Sequence, residues 1–451
     1  MDRSYLIKPQ IGGKLPEISF GRGVYLYGAD GRDYLDGSSG AITCSIGHGI
    51  KEVAEAMHTQ AKKISFVYRS QFTSAAAEAL AAKIAEWLPG DLNHSFFVNS
   101  GSEAAETAMK MAIQYWQEKG EPSKTIVLSR WRSYHGITMG ALSLSGFPER
   151  RERFQYHMSG VPDIAPPYCA RCPFGKVYPE CGLMCAEDLE RSIKRRGRQN
   201  IAAFIAEPIV GAAGACLVPP AGYYEKIREI CTANEILFIA DEVMTGMGRT
   251  GNVLGIQHWD CQPDLAVLGK GLGAGYAPIA AVVATDRVME AFLQGSRSIM
   301  SGHTYSANPQ SAAASLAVLQ YIENNHLILN AEQQGDRLKT MITELDEPFI
   351  GDVRGKGLLI GIELVQDRAS MKPFLKKQAA GARLIELAFK NGLLLYPASA
   401  GVEGGDGDAV IAAPPLTIND RELAEFMKRF TKACSAFRAE QREGVPDGGH
   451  E

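Results

Sequence analysis

The stretches ILFIADEVMTGMGRTG (residues 236–251) and PDLAVLGKGLGAGYAP (263–278) decide the fold class of this chain. Each contains an apolar run of strand length and then changes abruptly to charged residues and glycines. A strand that is apolar throughout is typical of a sheet that is buried on both faces. The two stretches therefore predict neighbouring buried strands, with Asp241 and Lys270 at their carboxyl ends, where α/β sheets carry their ligand sites.

Comparable apolar runs recur along the chain, and helical patterns alternate with them. Within residues 51–64, Val53, Met57 and Ala61 recur at the spacing of one helical face. This alternation predicts an α/β fold in which a largely parallel sheet is covered by helices on both faces. The further predicted strands are FFV (96–98), TIVL (125–128), AAFIA (202–206) and IAAVVA (279–284), and the further predicted helices are 76–88 and 102–119.

A second and smaller unit begins at about residue 326. Its predicted elements are strand LLIGIELV (358–365), helix 376–391, strand LLLY (393–396) and helix 420–437. The N-terminal part of the chain has short strand signals of its own in VYLYGADGRDYLDG (24–37). We therefore predict a large domain over 51–325, a small α/β domain built from 1–50 and 326–440, and a flexible polar tail over 441–451.

The composition excludes several classes of protein. The 451 residues include 47 Lys+Arg and 51 Asp+Glu, which gives a net charge of −4, and 45% of the residues are hydrophobic. These values are typical of a globular protein and argue against a disordered chain, a nucleic-acid partner or an anionic membrane partner. The chain has no apolar run near the roughly 18 residues of a membrane span, and its N-terminus lacks a signal-peptide core. With nine cysteines in so long a chain, we expect a reduced, cytoplasmic protein.

Lys270 and Asp241 are the first candidates for chemistry. A lysine that follows a buried strand can have a lowered pKa and attack a carbonyl to form an imine, although an ordinary loop lysine is the alternative. A carboxylate at the same edge of the sheet could bind a metal, accept a proton or pair with a protonated ring nitrogen. The alternative for Asp241 is a helix-capping or turn aspartate.

Two further segments follow strands of the same predicted sheet. Ser100, Gly101 and Ser102 precede a helix, where free N–H groups can bind a phosphate, although such residues are also common as plain caps. Tyr134, which is followed by His135, could stack on a planar ligand or simply pack in the core. An amine, a carboxylate, an anion site and an aromatic ring together meet the four requirements of pyridoxal phosphate.

At this point the sequence resembles the class III aminotransferases, which are pyridoxal-phosphate enzymes of fold type I and include ω-amino acid, ornithine and 4-aminobutyrate transaminases. The resemblance covers most of the chain, and its motifs occur in the family's order. They are DGSSGAITCSIGHG (36–49), NSGSEAAETAMKMA (99–112), YHGITMGALSLSG (134–146), AEP (206–208), DEVMTGMGRTG (241–251), PDLAVLGKGLGAGYAP (263–278), GHTYSANP (302–309), VRGKGLLIGIEL (353–364) and APPLTI (413–418).

The resemblance implies a large domain with a mostly parallel, seven-stranded-type sheet and an active homodimer with its active sites at the interface. It also implies that Lys270 forms an imine with pyridoxal phosphate and then moves the substrate proton. The implied cofactor-binding positions are Ser100, Gly101, Ser102, Tyr134, His135, Glu207, Asp241, Val243, Lys270 and Thr304, with Thr304 reaching the phosphate of the neighbouring subunit. Arg354 matches a motif arginine of the small domain, and we expect it to be structural.

Two departures from the family pattern concern the substrate. Ile411 stands where many members have an arginine that binds an α-carboxylate, and Ala212 stands where some have a partner glutamate. Without that bidentate pair we expect an amine or an ω-amino acid as donor and pyruvate or a related keto acid as acceptor. The candidates for holding the keto-acid carboxylate are Arg69, Arg130 and Arg132. A third departure is Gly269, where serine is common, and we expect a small effect there.

The segment YCARCPFGKVYPECGLMC (168–185) lies in an insertion over residues 165–186 that the family pattern does not supply. Cys169, Cys172, Cys181 and Cys185 could present four thiolates to zinc, or they could pack or crosslink within a Pro/Gly-rich loop. Because the gap between the second and third cysteines is short for two zinc knuckles, we predict no metal site. Two rival functions stay open: another class III activity (an α-amino acid or decarboxylating transaminase, an epimerase or a phospho-lyase) and a non-catalytic scaffold, which the presence of Lys270 disfavours.

Overall fold

A computed structural model describes residues 5–9, 13–160, 162–401 and 407–443. The N-terminal part contains β1 (Ile18–Arg22), β2 (Tyr25–Gly28), β3 (Asp33–Leu35) and the short, kinked α1 (Ser39–Ile42). The middle part contains α2 (Lys51–Ala61), α3 (Ala75–Trp87), β4 (Leu92–Val98), α4 (Gly101–Glu118), β5 (Ile126–Leu128), α5 (Met139–Leu144), α6 (Pro148–Arg151), α7 (Met184–Arg196), β6 (Ile201–Ala206), α8 (Tyr223–Ala233), β7 (Leu237–Asp241), β8 (Leu265–Leu268), β9 (Ala280–Thr285), α9 (Asp286–Gln294) and α10 (Pro309–Asn324). The last part contains α11 (Leu327–Glu344), β10 (Ile350–Lys356), β11 (Leu359–Asp367), β12 (Lys372–Pro373), α12 (Ala380–Lys390), β13 (Tyr396–Ser399), β14 (Asp408–Ala412) and α13 (Asp420–Glu443).

The central sheet has the strand order β4-β9-β8-β7-β6-β5. The strands β5 to β8 pair in parallel, whereas β9 runs antiparallel to both of its neighbours. Every residue of β6, β7, β8 and β9 is buried, because helices cover both faces of the sheet. The α/β fold with a mostly parallel sheet, predicted from the apolar runs, is confirmed.

The sheet has six strands among the described residues, one fewer than the resemblance implied. At the outer edge, beside β5, only a single bridge joins Arg130 to Ile164, with Trp131 N–H donating to the Ile164 carbonyl at 2.8 Å. Pro162 and the Pro166-Pro167 pair flank Ile164. Because proline has no N–H to donate, the pairing cannot extend into a full strand.

The chain ends meet in a second structural unit. The strands β10-β11-β14-β13 form an antiparallel sheet, and Leu35 at the end of β3 pairs with Leu393. The Ser39 hydroxyl donates to the Ala413 carbonyl at 2.7 Å, which links the two ends of the sequence. Leu35 shares one hydrophobic cluster with residues of α10 and of the C-terminal elements. The predicted domain boundaries stay a prediction.

Three predicted elements of this unit differ from the structure. The strand predicted at 393–396 begins at Tyr396 instead, because the Leu394 N–H donates to the Leu35 carbonyl and the Leu393 N–H donates to the Ala388 carbonyl, both outside that sheet. The helix predicted from residue 376 begins at Ala380, since Ala379 has a left-handed φ of 46°. The last helix continues to Glu443, so residues 441–443 are helical, and the rest of the predicted tail, 444–451, lies outside the described residues.

In the part of the chain that the structure describes, no helix combines the length and the apolar character that a membrane crossing requires.

Candidate active site

A cavity of about 190 Å³ opens at the carboxyl edge of the central sheet. It lies beyond the ends of β7 and β8, where ligands bind in open α/β sheets. Nearly all of the predicted site residues meet there although they are spread over 170 positions of sequence. The cavity is lined by Gly101, Ser102, Tyr134, His135, Gly136, Glu207, Ala212, Asp241, Val243, Met244 and Lys270.

Lys270 begins a single 3-10 turn (Lys270–Leu272) directly after β8 and Gly269. Burial in the cavity lowers the pKa of its ammonium group to about 8, against the opposing effect of the Glu207 and Asp241 carboxylates. The Lys270 side chain makes no hydrogen bond or ion pair with any described residue. The amine is therefore partly neutral near physiological pH and available as a nucleophile.

Asp241 is the last residue of β7, and its carboxylate faces His135. The Asp241 Oδ2 atom lies 2.7 Å from His135 Nδ1, and Asp241 Oδ1 accepts a hydrogen bond from the Val243 N–H at 3.1 Å. The buried His135 Nε2 has no partner within the described chain. The histidine fixes the orientation of the carboxylate, so that Asp241 presents a negative charge to the cavity.

The start of α4 forms one end of the cavity. The Ser100 hydroxyl accepts a hydrogen bond from the Glu103 N–H at 3.3 Å and thereby caps this 18-residue helix. The Ser102 hydroxyl accepts from the Ile137 N–H at 3.0 Å. Gly136 has a φ of 140°, and a Cβ there would lie 2.6 Å from Ser102 Oγ, so only glycine allows this approach. The first-turn N–H groups of Gly101 and Ser102 are placed to bind an anion.

Glu207 supports the cavity from behind Tyr134. Its carboxylate accepts hydrogen bonds from the backbone N–H groups of Tyr134 at 2.8 Å and Gly211 at 2.9 Å. Burial raises the pKa of Glu207, although His135 and these N–H donors oppose the shift. Val243 packs closely beside Gly101 and Gly269 on the cavity wall. The Glu207 carboxylate therefore positions the loop that carries the aromatic ring.

Two of the predicted cofactor-binding positions, Ser100 and Thr304, do not line this cavity. Ser100 caps α4 next to it, whereas Thr304 belongs to a different segment. It is exposed in the segment 301–305, which follows α9. That segment is tied to its own chain through Ser301, whose hydroxyl lies 3.0 Å from Thr107 Oγ1. Within this chain, Thr304 does not meet the other predicted residues.

The three arginines predicted as carboxylate ligands have different surroundings. Arg130 is fully buried and donates to the Glu207 carbonyl at 2.6 Å and to the Tyr224 hydroxyl at 3.2 Å. Arg69 donates to the Ser301 carbonyl at 2.6 Å. Arg132 is 1% exposed, its guanidinium has no hydrogen-bond partner in the described chain, and its nearest carboxylate, that of Glu149, is 3.7 Å away. None of the three lines the cavity.

Arg354 joins the small sheet to the loop after Glu207. Its guanidinium donates to the carbonyls of Gly214 and Ala215, both at 2.9 Å, and to Glu363 Oε2 at 2.6 Å. The buried Glu363 also accepts from the Tyr168 hydroxyl and from Arg171. These contacts are structural, as expected, and they attach the cysteine-containing insertion to β11.

The two positions that depart from the family pattern provide no charge. Ile411 is 0% exposed in β14 and packs in the main apolar core. Ala212 lines the cavity, and its carbonyl accepts a hydrogen bond from the Ser399 N–H at 2.9 Å. The side chains at these two positions are therefore unable to bind a substrate carboxylate.

Met244, Glu242 and Arg249 were not predicted as individual site residues. Met244 lines the cavity. Burial raises the pKa of Glu242 to about 7, against the N–H donors of Gly255 and Ile256 at 2.8 Å. Arg249 donates to the carbonyls of Leu358 and Pro414 and so clamps the chain ends to the large sheet. Their only sequence signal was membership of the DEVMTGMGRTG motif.

The four cysteines of the insertion are free thiols, and they range from exposed Cys169 to buried Cys185. Within the described ranges, no group of three or more His, Cys, Asp or Glu side chains is arranged to hold a metal ion.

The residues in the cavity fit pyridoxal phosphate. An unpartnered amine, a carboxylate held by His135, the capped start of a long helix and the ring of Tyr134 share one cavity. These are the groups that an aldehyde, a pyridine nitrogen, a phosphate and an aromatic ring require. The fold and this site together define a pyridoxal-phosphate enzyme of fold type I.

Comparisons with known proteins agree with that class. The model of the family "Aminotransferase class-III" matches residues 14–434. The uncharacterized aminotransferase YodT of Bacillus subtilis (strain 168) is 54% identical over 96% of this chain and 98% of its own length. The putrescine–pyruvate aminotransferase of Pseudomonas aeruginosa is 37% identical over 91% of this chain and 88% of its own. A thermostable (S)-enantioselective omega-transaminase from Thermomicrobium roseum superimposes with a TM-score of 0.87 at 36% identity, covering 94% of this chain and 93% of its own.

The chain belongs to the class III aminotransferase family. It is a pyridoxal-phosphate-dependent aminotransferase.

Proposed function

We propose that this aminotransferase moves the amino group of a simple amine or an ω-amino acid to pyruvate or a related keto acid. The observation that carries the proposal is the apolar pair Ile411 and Ala212: Ile411 is buried in the core and Ala212 lines the cavity, so neither of the positions where related enzymes have an arginine and a glutamate offers a charge. A donor without an α-carboxylate loses no binding energy when the cavity has no partner for that group. The names of the Pseudomonas aeruginosa and Thermomicrobium roseum relatives, a putrescine–pyruvate aminotransferase and an omega-transaminase, support the same donor and acceptor classes.

Lys270 and Asp241 have the catalytic roles. Pyridoxal phosphate, when bound, supplies an electron-withdrawing ring that stabilises negative charge on the substrate carbon next to the transferred nitrogen. Lys270 is the nucleophile that holds the cofactor at rest, and its freed amine then removes and returns the proton at that carbon. Asp241, oriented by His135, pairs with the protonated pyridine nitrogen and keeps the ring electron-withdrawing.

The remaining side chains fix the position of the cofactor. Gly101 and Ser102 bind the phosphate at the start of α4, with Ser100 as the helix cap. Tyr134 and Val243, which both line the cavity, would hold the cofactor ring. Glu207 does not need to touch the cofactor, because its hydrogen bond to the Tyr134 N–H already sets the position of that aromatic ring.

The active unit is a homodimer in which Thr304 reaches the phosphate site of the other subunit. Exposed apolar side chains near this segment support the proposal, since such a patch is typical of an interface. They are Phe66, Tyr68, Phe72, Met300 and Tyr305. Phe66 and Tyr305 pack edge to face at 6.1 Å, so the two exposed segments are adjacent. Light scattering of the purified protein should give twice the chain mass of 48.8 kDa.

We also propose a cytoplasmic location, with no nucleic-acid or membrane partner. All nine cysteines are free thiols in the structure, which is typical of a reducing compartment.

A half-reaction tests the donor class directly. The holoenzyme is mixed with putrescine, β-alanine or 4-aminobutyrate without an acceptor, and the visible spectrum is recorded. We expect a band at ~410–430 nm to be replaced by one near ~330 nm. A change that occurs only with α-amino acids would contradict the argument from Ile411 and Ala212. The absence of any band after supply of pyridoxal phosphate would contradict the assigned role of Lys270.

A further inference from the structure

The carboxylate of a keto acid needs a cation as its partner in this site. The described residues that line the cavity include no arginine and no lysine other than Lys270. Among the described lining residues, the charged side chains other than Lys270 are the carboxylates of Glu207 and Asp241, which repel a substrate carboxylate. Arg130 and Arg69 donate to carbonyl groups elsewhere, and Arg132 lies buried outside the lining. The partner of the acceptor's carboxylate must therefore come from an exposed cation outside this lining.

Arg150 is an exposed arginine next to a residue of the lining. Its Cζ atom lies 5.9 Å from the ring centroid of Tyr134 and 5.8 Å from that of Phe147. Tyr134 lines the cavity, whereas Arg150 lies beside Tyr134 and outside the lining. Its exposed side chain must turn past the Tyr134 ring to contact a carboxylate in the cavity. A guanidinium against aromatic rings keeps its N–H donors directed outward, which suits bidentate binding of a carboxylate.

Arg150 and its neighbour Arg151 have different contacts, which indicate a structural role for Arg151 and leave Arg150 available to bind a ligand. The Arg151 guanidinium donates to the carbonyls of Leu142, Ser143, Ser145 and Gly160 at 2.8–2.9 Å, and so it fixes the short helix α6. The Arg150 side chain is exposed and makes no hydrogen bond or ion pair with any residue that the structure describes. Its backbone is thus held in place by its neighbour while its guanidinium stays available.

Phe147 packs against both Tyr134 and Arg150. Its ring packs at 90° against Tyr134, with 6.3 Å between centroids, and Pro148 then begins α6. Arg150 follows within one turn and lies over both rings. The Tyr134 ring, which lines the cavity, and the buried Phe147 ring packed against it therefore both support the guanidinium.

We propose that Arg150 binds the carboxylate of the keto-acid acceptor and makes the enzyme prefer pyruvate over acceptors without a carboxylate. This inference rests on the proposed function, since it concerns the second half of the same transamination. It makes Arg150 a specificity-determining residue, whereas the proton transfers stay with Lys270.

The test compares two acceptors in the second half-reaction. Wild type, Arg150→Gln, Arg150→Lys and the control Arg153→Gln are first converted to the aminated holoenzyme with a carboxylate-free amine. The proteins are then mixed with pyruvate or with propanal, which has three carbons and no carboxylate. Arg153 is exposed in the same loop and has no contact with Tyr134, so its replacement removes the same charge from the same region.

We expect Arg150→Gln to lower kcat/KM for pyruvate about 10- to 100-fold, mainly through KM, as for loss of a charge-assisted hydrogen-bond pair. Propanal should change less than about twofold, and Arg150→Lys should retain part of the pyruvate preference. Arg153→Gln should match the wild type on both acceptors.

Equal losses on both acceptors, or an unchanged KM for pyruvate in Arg150→Gln, would overturn the inference. Loss of the pyruvate preference in Arg132→Gln but not in Arg150→Gln would do the same. Failure of the wild-type enzyme to accept an amine at all is a different result, because it would overturn the proposed function itself.

Discussion

Two sides of the same cavity are built in different ways. On the cavity floor, which we define as Lys270, Asp241 and His135, every side chain follows a strand of the buried sheet or pairs with a neighbour that does. On the Arg150 wall, which we define as Tyr134, Phe147 and Arg150, the side chains are held by ring packing and the terminal cation is exposed. The floor can therefore fix one chemistry, while the wall can vary the substrate with little cost to the fold.

Replacement of Lys270 by alanine tests the floor most severely. We expect Lys270→Ala to lower kcat roughly 10⁴-fold, because the nucleophile and the proton-transfer group are the same amine. Steady-state transamination and the amine half-reaction in the visible spectrum measure the loss. The control Lys110→Ala removes an exposed lysine of α4 and should retain wild-type rates. A Lys270→Ala protein with more than about a tenth of wild-type activity would refute the assignment.

Replacement of Asp241 by asparagine should have the next largest effect. The variant keeps the shape and loses the negative charge that the cofactor ring requires, so we expect kcat to fall about 10²- to 10³-fold. Because His135 Nδ1 lies 2.7 Å from the carboxylate, His135→Gln should produce a smaller loss in the same direction. The half-reaction rate with a single donor is the measurement. Similar rates for Asp241→Asn and wild type would show that the floor does not act through charge.

The sequence predicted the floor well because its residues come in contiguous motifs attached to strands. Asp241 and Lys270 each follow an apolar run, and the common edge of a parallel sheet brings their side chains together. The wall was harder to predict. Arg150 stands in the charged run PERRER (148–153), where nothing in the residue order separates it from Arg151, which binds four carbonyls. Its importance depends on distances to two rings, and a single sequence does not carry those distances.

The secondary structure was also predicted well in some places and poorly in others. Most strands with uninterrupted apolar runs were predicted to within about two residues, although β4 begins at Leu92, before the predicted FFV, and β13 begins only at Tyr396. β10 was missed because its sequence, IGDVRGK, has no apolar run, and β14 was missed because it pairs with the distant β11. Thr304 remains a prediction for a related reason, since its partner groups would belong to another subunit.

Replacement of Arg354 tests whether its buried ion pair with Glu363 stabilises the protein. Arg354→Gln leaves Glu363, which is 0% exposed, without its main cation, and we expect the protein to lose roughly 3–5 kcal/mol of stability. Thermal unfolding followed by circular dichroism is the measurement. The control Arg337→Gln breaks an exposed ion pair with Asp420 and should cost less than about 1 kcal/mol. Equal melting temperatures for the two variants would contradict a structural role for Arg354.

The pH dependence of cofactor uptake tests the lowered pKa of Lys270. The pKa of Lys270 is lowered to about 8, so its reactive neutral form should increase about tenfold per pH unit below pH 8 and level off above it. We expect the rate at which the cofactor-free protein takes up pyridoxal phosphate to follow this curve in stopped-flow absorbance. An ordinary lysine would keep gaining reactivity up to about pH 10.5. A rate that still rises tenfold per unit between pH 9 and pH 10 would contradict the effect of burial.

Gly269→Ser should have the smallest effect, although the residue precedes the catalytic lysine. Its φ of −170° is extended and tolerates a side chain, and an added Cβ would lie 3.2 Å from Val243 Cγ1 and 3.7 Å from the Ala280 Cβ. A shift of a few tenths of an ångström by Val243 relieves the closer contact, so we expect kcat/KM to change by less than about fivefold, or ~1 kcal/mol. Gly269→Ala separates the added carbon from the hydroxyl, and Val243→Ala in the same chain removes the crowding. A decrease in kcat/KM of more than about 100-fold in Gly269→Ser, which Val243→Ala does not relieve, would mean that the floor tolerates no added volume. The floor and the Arg150 wall would then differ more than the distances indicate.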